Sequence, residues 1–284
     1  VLAATGNGVY ASSDSGLNWS LFGPDNGGIN SIAVNGNNIY AGSFYAMYVS
    51  SDGGNSWAND SVPFPQANSI YAKDDVLLVG GDYYGIYSST DNGANWNLYE
   101  FINSSVKTFA EYENGILAAA YGIYKTTNNG VNWTETAVKN CTIMSFATDG
   151  NNLYAGTIGK GAYLSTNNGL SWSHAGLEDM YYVWSLGVCG NYVFAGTWAQ
   201  GMHVSTNKGA NWTFSGLDSL ELRKIAVNGN NVYAIASRSR LFLSTNYGAN
   251  WTLKHSYPPY ISSLAFSGNN MYAAGDYDLS ISSD

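Results

Sequence analysis

The chain has 284 residues, a formal net charge of −9 and only 11% charged residues. That balance excludes a nucleic-acid surface, which needs clustered Lys and Arg, and no apolar run approaches the roughly 18 residues of a membrane span. A hydrophobic content of 45%, with 33 Gly and 23 Tyr, describes a turn-rich all-β chain with enough apolar material for a large core.

Along the chain, one eight-residue box recurs seven times: Ser12 to Trp19, Ser50 to Trp57, Ser89 to Trp96, Thr126 to Trp133, Ser165 to Trp172, Ser205 to Trp212 and Ser244 to Trp251. Its pattern is [ST]-[ST]-[DN]-x-G-x-[NS]-W, and its tryptophans are 37 to 40 residues apart. A period of that length means an array of supersecondary units. An eighth box begins at Ser282-Ser283-Asp284, which leaves open a longer parent chain.

Each repeat reads as four short strands, here called inner, second, third and outer. The copy from Thr142 to Trp172 has an apolar run at Ser145-Phe146-Ala147, a tight-turn signal at Asp149-Gly150-Asn151-Asn152 and a second run at Leu153-Tyr154-Ala155-Gly156. After a variable loop, Thr157 to Gly161, the third run Ala162-Tyr163-Leu164-Ser165 enters the box, and Trp172 opens the outer strand. Inner strands recur as Ser31-Ile32-Ala33-Val34 and Lys224-Ile225-Ala226-Val227, second strands as Ile39-Tyr40-Ala41-Gly42 and Val232-Tyr233-Ala234. Four short strands per repeat without helical periodicity predict a β-propeller blade.

The first copy starts at its second strand, Leu2 to Thr5, and the last reaches its third, Leu279 to Ser282. Six complete copies lie between. A seven-bladed ring over residues 1–284, closed by strands from both ends, leaves about two strands surplus; an eight-bladed ring lacks two. The expectation is seven blades in one monomeric domain, with eight as the alternative, because joining the ends removes exposed edges.

The box has a structural logic. Its third residue can accept backbone N–H groups in a tight turn, its Gly permits positive φ, and its Trp packs between blades. That third position drifts from Asp14, Asp52 and Asp91 to Asn128, Asn167, Asn207 and Asn246, a change a turn cap tolerates and a catalytic acid or metal ligand does not. The pattern resembles the Asp-box, or BNR, repeat over the whole chain. That resemblance implies a propeller of the kind found in sialidases, xyloglucan hydrolases, sortilin-type receptors and photosystem assembly factors, and it implies no single chemistry.

A sialidase-like site implies three arginines from different blades, yet Arg223, Arg238 and Arg240 all fall in one copy. A xyloglucan-hydrolase site implies two propellers and an acid from each, and only one propeller fits. Glu178 with Asp179, and Asp276 with Asp278, are neighbours on single loops. His174, His203 and His255 show no metal-ligand spacing, and His203 takes a third-strand position held elsewhere by Tyr48, Tyr87, Tyr124 and Tyr163. No cofactor or metal is expected. Cys141 and Cys189 stand at opposite ends of inner strands in adjacent copies, roughly 25 Å apart and beyond disulfide reach.

The copies differ in the loops between second and third strands and in the connectors from outer to next inner strand, which a propeller places on one face. Those loops hold Tyr45, Asp82, Tyr83, Tyr84, Tyr121, Lys160, Trp198, Arg238, Asp276, Tyr277 and Asp278; the residues leading into inner strands are Asn30, Asn68, Lys107, Met144, Trp184, Arg223 and Ser262. Aromatic rings among amides and charges suit sugar stacking or a protein interface. The expected ligand site is therefore Trp184, Trp198, Tyr45, Tyr83, Tyr84, Tyr121, Lys160, Arg223, Arg238 and Tyr277. Trp184 and Trp198 approach each other, and Lys160 and Arg223 flank them. The opposite face is expected to be inert. The expected function is a non-catalytic binding or assembly scaffold of bacterial type, secreted, at the cell surface or periplasmic, that takes a glycan or a partner protein. The competing expectation is a glycoside hydrolase using Asp82, Asp276 or Asp278.

Overall fold

The computed structural model describes every residue except 15, 16, 26, 27, 61–65, 83, 84, 101–103, 114, 151, 181, 239, 257–260, 262, 268, 269, 275–278, 283 and 284. No helix occurs among the described residues, so none is long and apolar enough to cross a membrane.

Among the described residues thirty strands form eight sheets, each a run of consecutive antiparallel neighbours. Six sheets are four-stranded; in the sixth, Val183–Cys189, Tyr192–Thr197, Met202–Ser205 and Thr213–Phe214 follow one another from inner to outer. The second strands are buried along nearly their whole length, as in Val76–Gly80 and Leu153–Thr157. A neighbouring blade covers each of their faces, so they read as continuous apolar runs rather than alternating ones. Leu117, Ala119, Ile143, Leu153 and Ala155 form one such inter-blade core, between the fourth and fifth sheets.

The expected propeller of four-stranded blades is borne out. Among the described residues the two ends of the chain form one three-stranded sheet each. The first sheet comprises Leu2–Thr5, Gly8–Ala11 and Ser20–Leu21; the last comprises Ser263–Ser267, Asn270–Ala274 and Leu279–Ser282. The last copy brings its own inner strand, which pairs with its own second strand. The end sheets are neighbours: Trp19 packs edge-on against Tyr272 at 6.4 Å.

Each box is a hydrogen-bonded turn. Asp52 Oδ1 accepts from the backbone of Ser56 at 2.9 Å, and Asn246 Oδ1 accepts from Asn250 at the same distance, so carboxylate and carboxamide do the same work. The first residue, which the sequence analysis passed over, is equally engaged. Buried Ser50 Oγ donates to Asp52 Oδ1 at 2.8 Å and accepts from Gly54 N at 2.7 Å. In the boxes from Ser50 onward the fifth residue has positive φ as expected, and so does the fourth, including Lys208 and Tyr247. The box tryptophan reaches the preceding blade: Trp57 Nε1 donates to Phe22 O at 2.9 Å and Trp251 Nε1 to Ser215 O at 2.7 Å.

Hydrogen bonds hold the carboxyls of Asp14, Asp52 and Asp91 down to about 2, led respectively by the Asn18 amide, the Ser56 hydroxyl and the Asn95 side chain. A carboxyl depressed in the fold adds stability that is complete above its unfolded pKa and lost as pH falls through the folded one. The wild-type denaturation midpoint is therefore expected to drop between pH 3.8 and about 2. In the combined Asp14→Asn, Asp52→Asn, Asp91→Asn variant that drop should be smaller. Equal acid dependence in urea titrations of the two proteins would refute it.

Cys141 and Cys189 are free, buried and in different inter-blade cores. Burial raises both thiols above the ordinary range.

Candidate functional site

The variable loops and the connectors do share one rim. Ile158 N, in a loop of the fifth sheet, donates to Thr142 O in the connector at 2.9 Å, and Ile158 also bridges Tyr182 in the next connector. Trp198 N donates to the Tyr182 carbonyl at 3.3 Å.

Two local devices shape this rim. The inner strands open on a β-bulge: register shifts between Ile29 and Ser31, Ile143 and Ser145, Val183 and Ser185, and Leu222 and Lys224. The skipped residues are Asn30, Met144, Trp184 and Arg223, which belong to the column expected at the channel mouth. A bulge re-aims its extra side chain out of the ladder. The loops, in turn, are closed by the Ser or Thr that ends the second strand. Thr197 Oγ1 donates to Gly201 O at 2.8 Å and accepts from Gln200 N at 3.2 Å, and Thr157 closes on Gly161 and Lys160 in the same way. Between these bonds Ala199 is held at φ 113 and Gly201 at φ 70, positions disfavoured for a side-chain-bearing residue.

Trp184, on its bulge, and Trp198, on its loop, stack with centroids 4.6 Å apart and planes 16° from parallel. The expected approach of these two rings is met. Tyr182, which the sequence analysis missed, completes the group, 5.7 Å from Trp184 and 5.4 Å from Trp198. Its signal was available: Tyr182 stands two residues before Trp184 in a connector that differs from the other copies. Trp198 is 44% exposed, so the stack ends in an accessible aromatic surface.

The other candidates do not join this group by ring contact. Tyr45, 90% exposed, leans on Phe44 at 6.5 Å on the second sheet, and Tyr121 stands exposed on the fourth, its amide held by Ser104 Oγ at 2.7 Å. Arg238 is exposed, with left-handed backbone, in the seventh sheet. The two expected cationic flanks are both engaged. Lys160 Nζ donates to Lys139 O at 3.0 Å, and Arg223 pairs with Glu221 at 2.9 Å. Arg223 is thus a neutralised flank, because the connector supplies its own carboxylate. Asp82 is half-buried. Tyr83, Tyr84, Asp276, Tyr277 and Asp278 lie outside the described residues.

The opposite rim is less plain than expected. Glu111 accepts from Tyr71 Oη and Lys73 Nζ, each at 2.8 Å, beside a cavity of about 400 Å³ between the third and fourth sheets. Lys73 and Tyr71 hold the Glu111 carboxyl below its ordinary range, and burial followed by Glu111 pushes the Tyr71 phenol up. His203 is buried against Phe214, and burial lowers its pKa, as a packing substitute for tyrosine would be. Among the described residues no group of three His, Cys, Asp or Glu can hold a metal ion.

Blades of antiparallel strands around a ring, with an aromatic ledge on one rim, define the class: a β-propeller. No protein-family model matches the chain, and no curated protein does. Solved structures do match. The computationally designed Ika8 protein is similar with a TM-score of 0.74 at 15% identity, over 99% of this chain and 94% of that one. YCF48 bound to D1 peptide is similar with a TM-score of 0.64 at 15% identity, over 89% and 92%. The GH74 xyloglucanase from Xanthomonas campestris is similar with a TM-score of 0.63 at 14% identity, over 96% of this chain and 55% of the enzyme. At such identities the likeness is one of fold, shared by binding proteins and glycoside hydrolases alike.

Proposed function

We propose that this protein is an exported, non-catalytic binding scaffold of the Asp-box type, which takes a glycan or a partner protein on its variable rim. One observation carries the reading. Of nine tryptophans, seven stand at the end of a box and serve the repeat; the remaining two, Trp184 and Trp198, come together in a stack whose outer ring is exposed. Repeat architecture does not require them, and an accessible aromatic surface suits a sugar face or a peptide side chain. The peptide bound by YCF48 on a similar fold supports a protein ligand; the composition, rich in Asn, Ser and Tyr and poor in charge, supports export.

A hydrolase needs two carboxylates flanking the scissile bond. Of the three candidate acids only Asp82 lies among the described residues, and no hydrogen bond or ion pair among those residues joins it to a second carboxylate.

The test is binding to immobilised glycans and peptides by the wild type and by a Trp184→Ala, Trp198→Ala variant. Each aromatic contact contributes about 0.5–1.5 kcal/mol, so the double change is expected to weaken a ligand roughly 5- to 150-fold with the propeller still folded. Undiminished binding by the folded variant would remove the site, and polysaccharide turnover lost in Asp82→Asn would replace the scaffold with an enzyme.

A further inference from the structure

The surroundings of Tyr182, Trp184 and Trp198 narrow the choice between a glycan and a protein ligand. The charges and hydroxyls beside the rings are already engaged. Lys160 Nζ donates to Lys139 O at 3.0 Å, Arg223 pairs with Glu221 at 2.9 Å, and the Thr197 hydroxyl is shared between Gly201 O and Gln200 N. A sugar that stacks on an aromatic face must still place several hydroxyls, each both donor and acceptor, on side chains that answer both roles. Gln200, exposed at the loop tip, offers a single amide for that purpose.

The two indoles also differ from those of the repeat. Trp57, Trp133, Trp212 and Trp251 give their Nε1–H to backbone carbonyls. Among the described residues Trp184 and Trp198 give theirs to none. Trp184 lacks a partner without being sealed from solvent, and Trp198 belongs to an exposed ring. An indole nitrogen donates and does not accept. The ledge therefore combines apolar ring faces with donors that lack acceptors.

A polyproline II segment is the complement of such a surface. Proline carries a carbonyl and no N–H, so a run of it presents apolar rings and acceptors alone. Its helix rises about 9 Å per three-residue turn, which suits ring centroids 4.6 to 5.7 Å apart once the breadth of the rings is added. The accessible ring surface is small, which favours a ligand that loses little entropy on docking, and polyproline II is formed before it binds. The receiving side is equally fixed: Thr197 ties the loop at both ends, Ala199 is held at φ 113, and Trp198 N is bonded to Tyr182 O at 3.3 Å.

On the reading that this ledge is the ligand site, we infer that its ligand is a proline-rich stretch of a partner protein. Proline rings lie against the Trp184–Trp198 stack, and the backbone carbonyls between them accept from the two indole N–H groups and from the Gln200 amide.

The experiment titrates three probes into the 284-residue protein labelled at indole nitrogen: decaproline with blocked ends, a blocked Gly-Ser decapeptide, and cellohexaose as a neutral glycan. Decaproline is expected to move the Trp184 and Trp198 resonances and to bind at least about tenfold tighter than either of the others. Replacing Trp198 by benzothienylalanine keeps the bicyclic ring and removes its donor. By calorimetry that change should weaken decaproline roughly 2- to 10-fold. Equal affinity for the isosteric protein, cellohexaose binding as tightly as decaproline, or decaproline leaving both resonances unmoved would each overturn the inference. Decaproline inert while another glycan or peptide from the arrays moves those resonances overturns this inference alone. If no ligand that binds the protein moves them, the reading on which it rests falls as well.

Discussion

Phe194→Ala is expected to cost about 3–5 kcal/mol of stability, the range for truncating a large buried aromatic. Phe194 sits on the second strand of the sixth sheet with none of its surface exposed, in a core with Met202, Leu222 and Val232. Two neighbours fix it. Tyr192 stacks near it at 6.4 Å, and the backbone of the seventh box passes so close that a Cβ on Gly248 would lie 3.0 Å from the ring. Box and second strand hold each other, so the cavity cannot collapse without moving the turn. Denaturant unfolding measures the effect; a loss below about 1.5 kcal/mol, the ceiling for a volume-conserving swap, would show that the blades repack freely.

The second large effect joins fold to site. Gly201 closes the loop that carries Trp198, at φ 70, and a Cβ there would lie 2.6 Å from Gly216 O and 2.7 Å from Leu217 O, both backbone atoms. Gly201→Ala is therefore expected to lose more than about 2 kcal/mol through left-handed strain and a contact that no side chain can relieve. It should also disturb the Trp184–Trp198 stack. Gly190→Ala is the control: it has φ 60 with nothing within 4 Å of the added Cβ, so only the conformational cost of about 1–2 kcal/mol applies. Equal losses at the two positions would mean that the loop yields, and that Trp198 is not held from beneath.

Much of this was legible in the sequence because the repeats compare themselves. The Asp-to-Asn drift from Asp91 to Asn128 marks a turn cap, and the structure shows both accepting from the residue four ahead. The column of Asn30, Met144, Trp184 and Arg223 stood out by its variety, and the bulges explain it. Closure of the ring was less legible. Whether Leu2–Thr5 takes the last copy's inner strand or stands without one depends on pairing across the whole chain length, which local pattern does not encode. The ion pair of Arg223 with Glu221, two residues away, depends on side-chain direction at the bulge, which spacing alone does not specify. The buried first-position hydroxyls, Ser50 and its counterparts, were passed over because a serine in a turn reads as solvated until its burial is known.

That the two non-box tryptophans form the binding ledge is tested most directly by indole N–H resonances, one from each of the nine tryptophans. A glycan or peptide found on the arrays is titrated into protein labelled at indole nitrogen, with assignments from single Trp→Phe variants. Shifts confined to Trp184 and Trp198, with Trp57, Trp133, Trp212 and Trp251 unmoved, are the predicted result. Shifts among the box tryptophans with Trp184 and Trp198 unmoved would contradict it and move the function to the opposite rim.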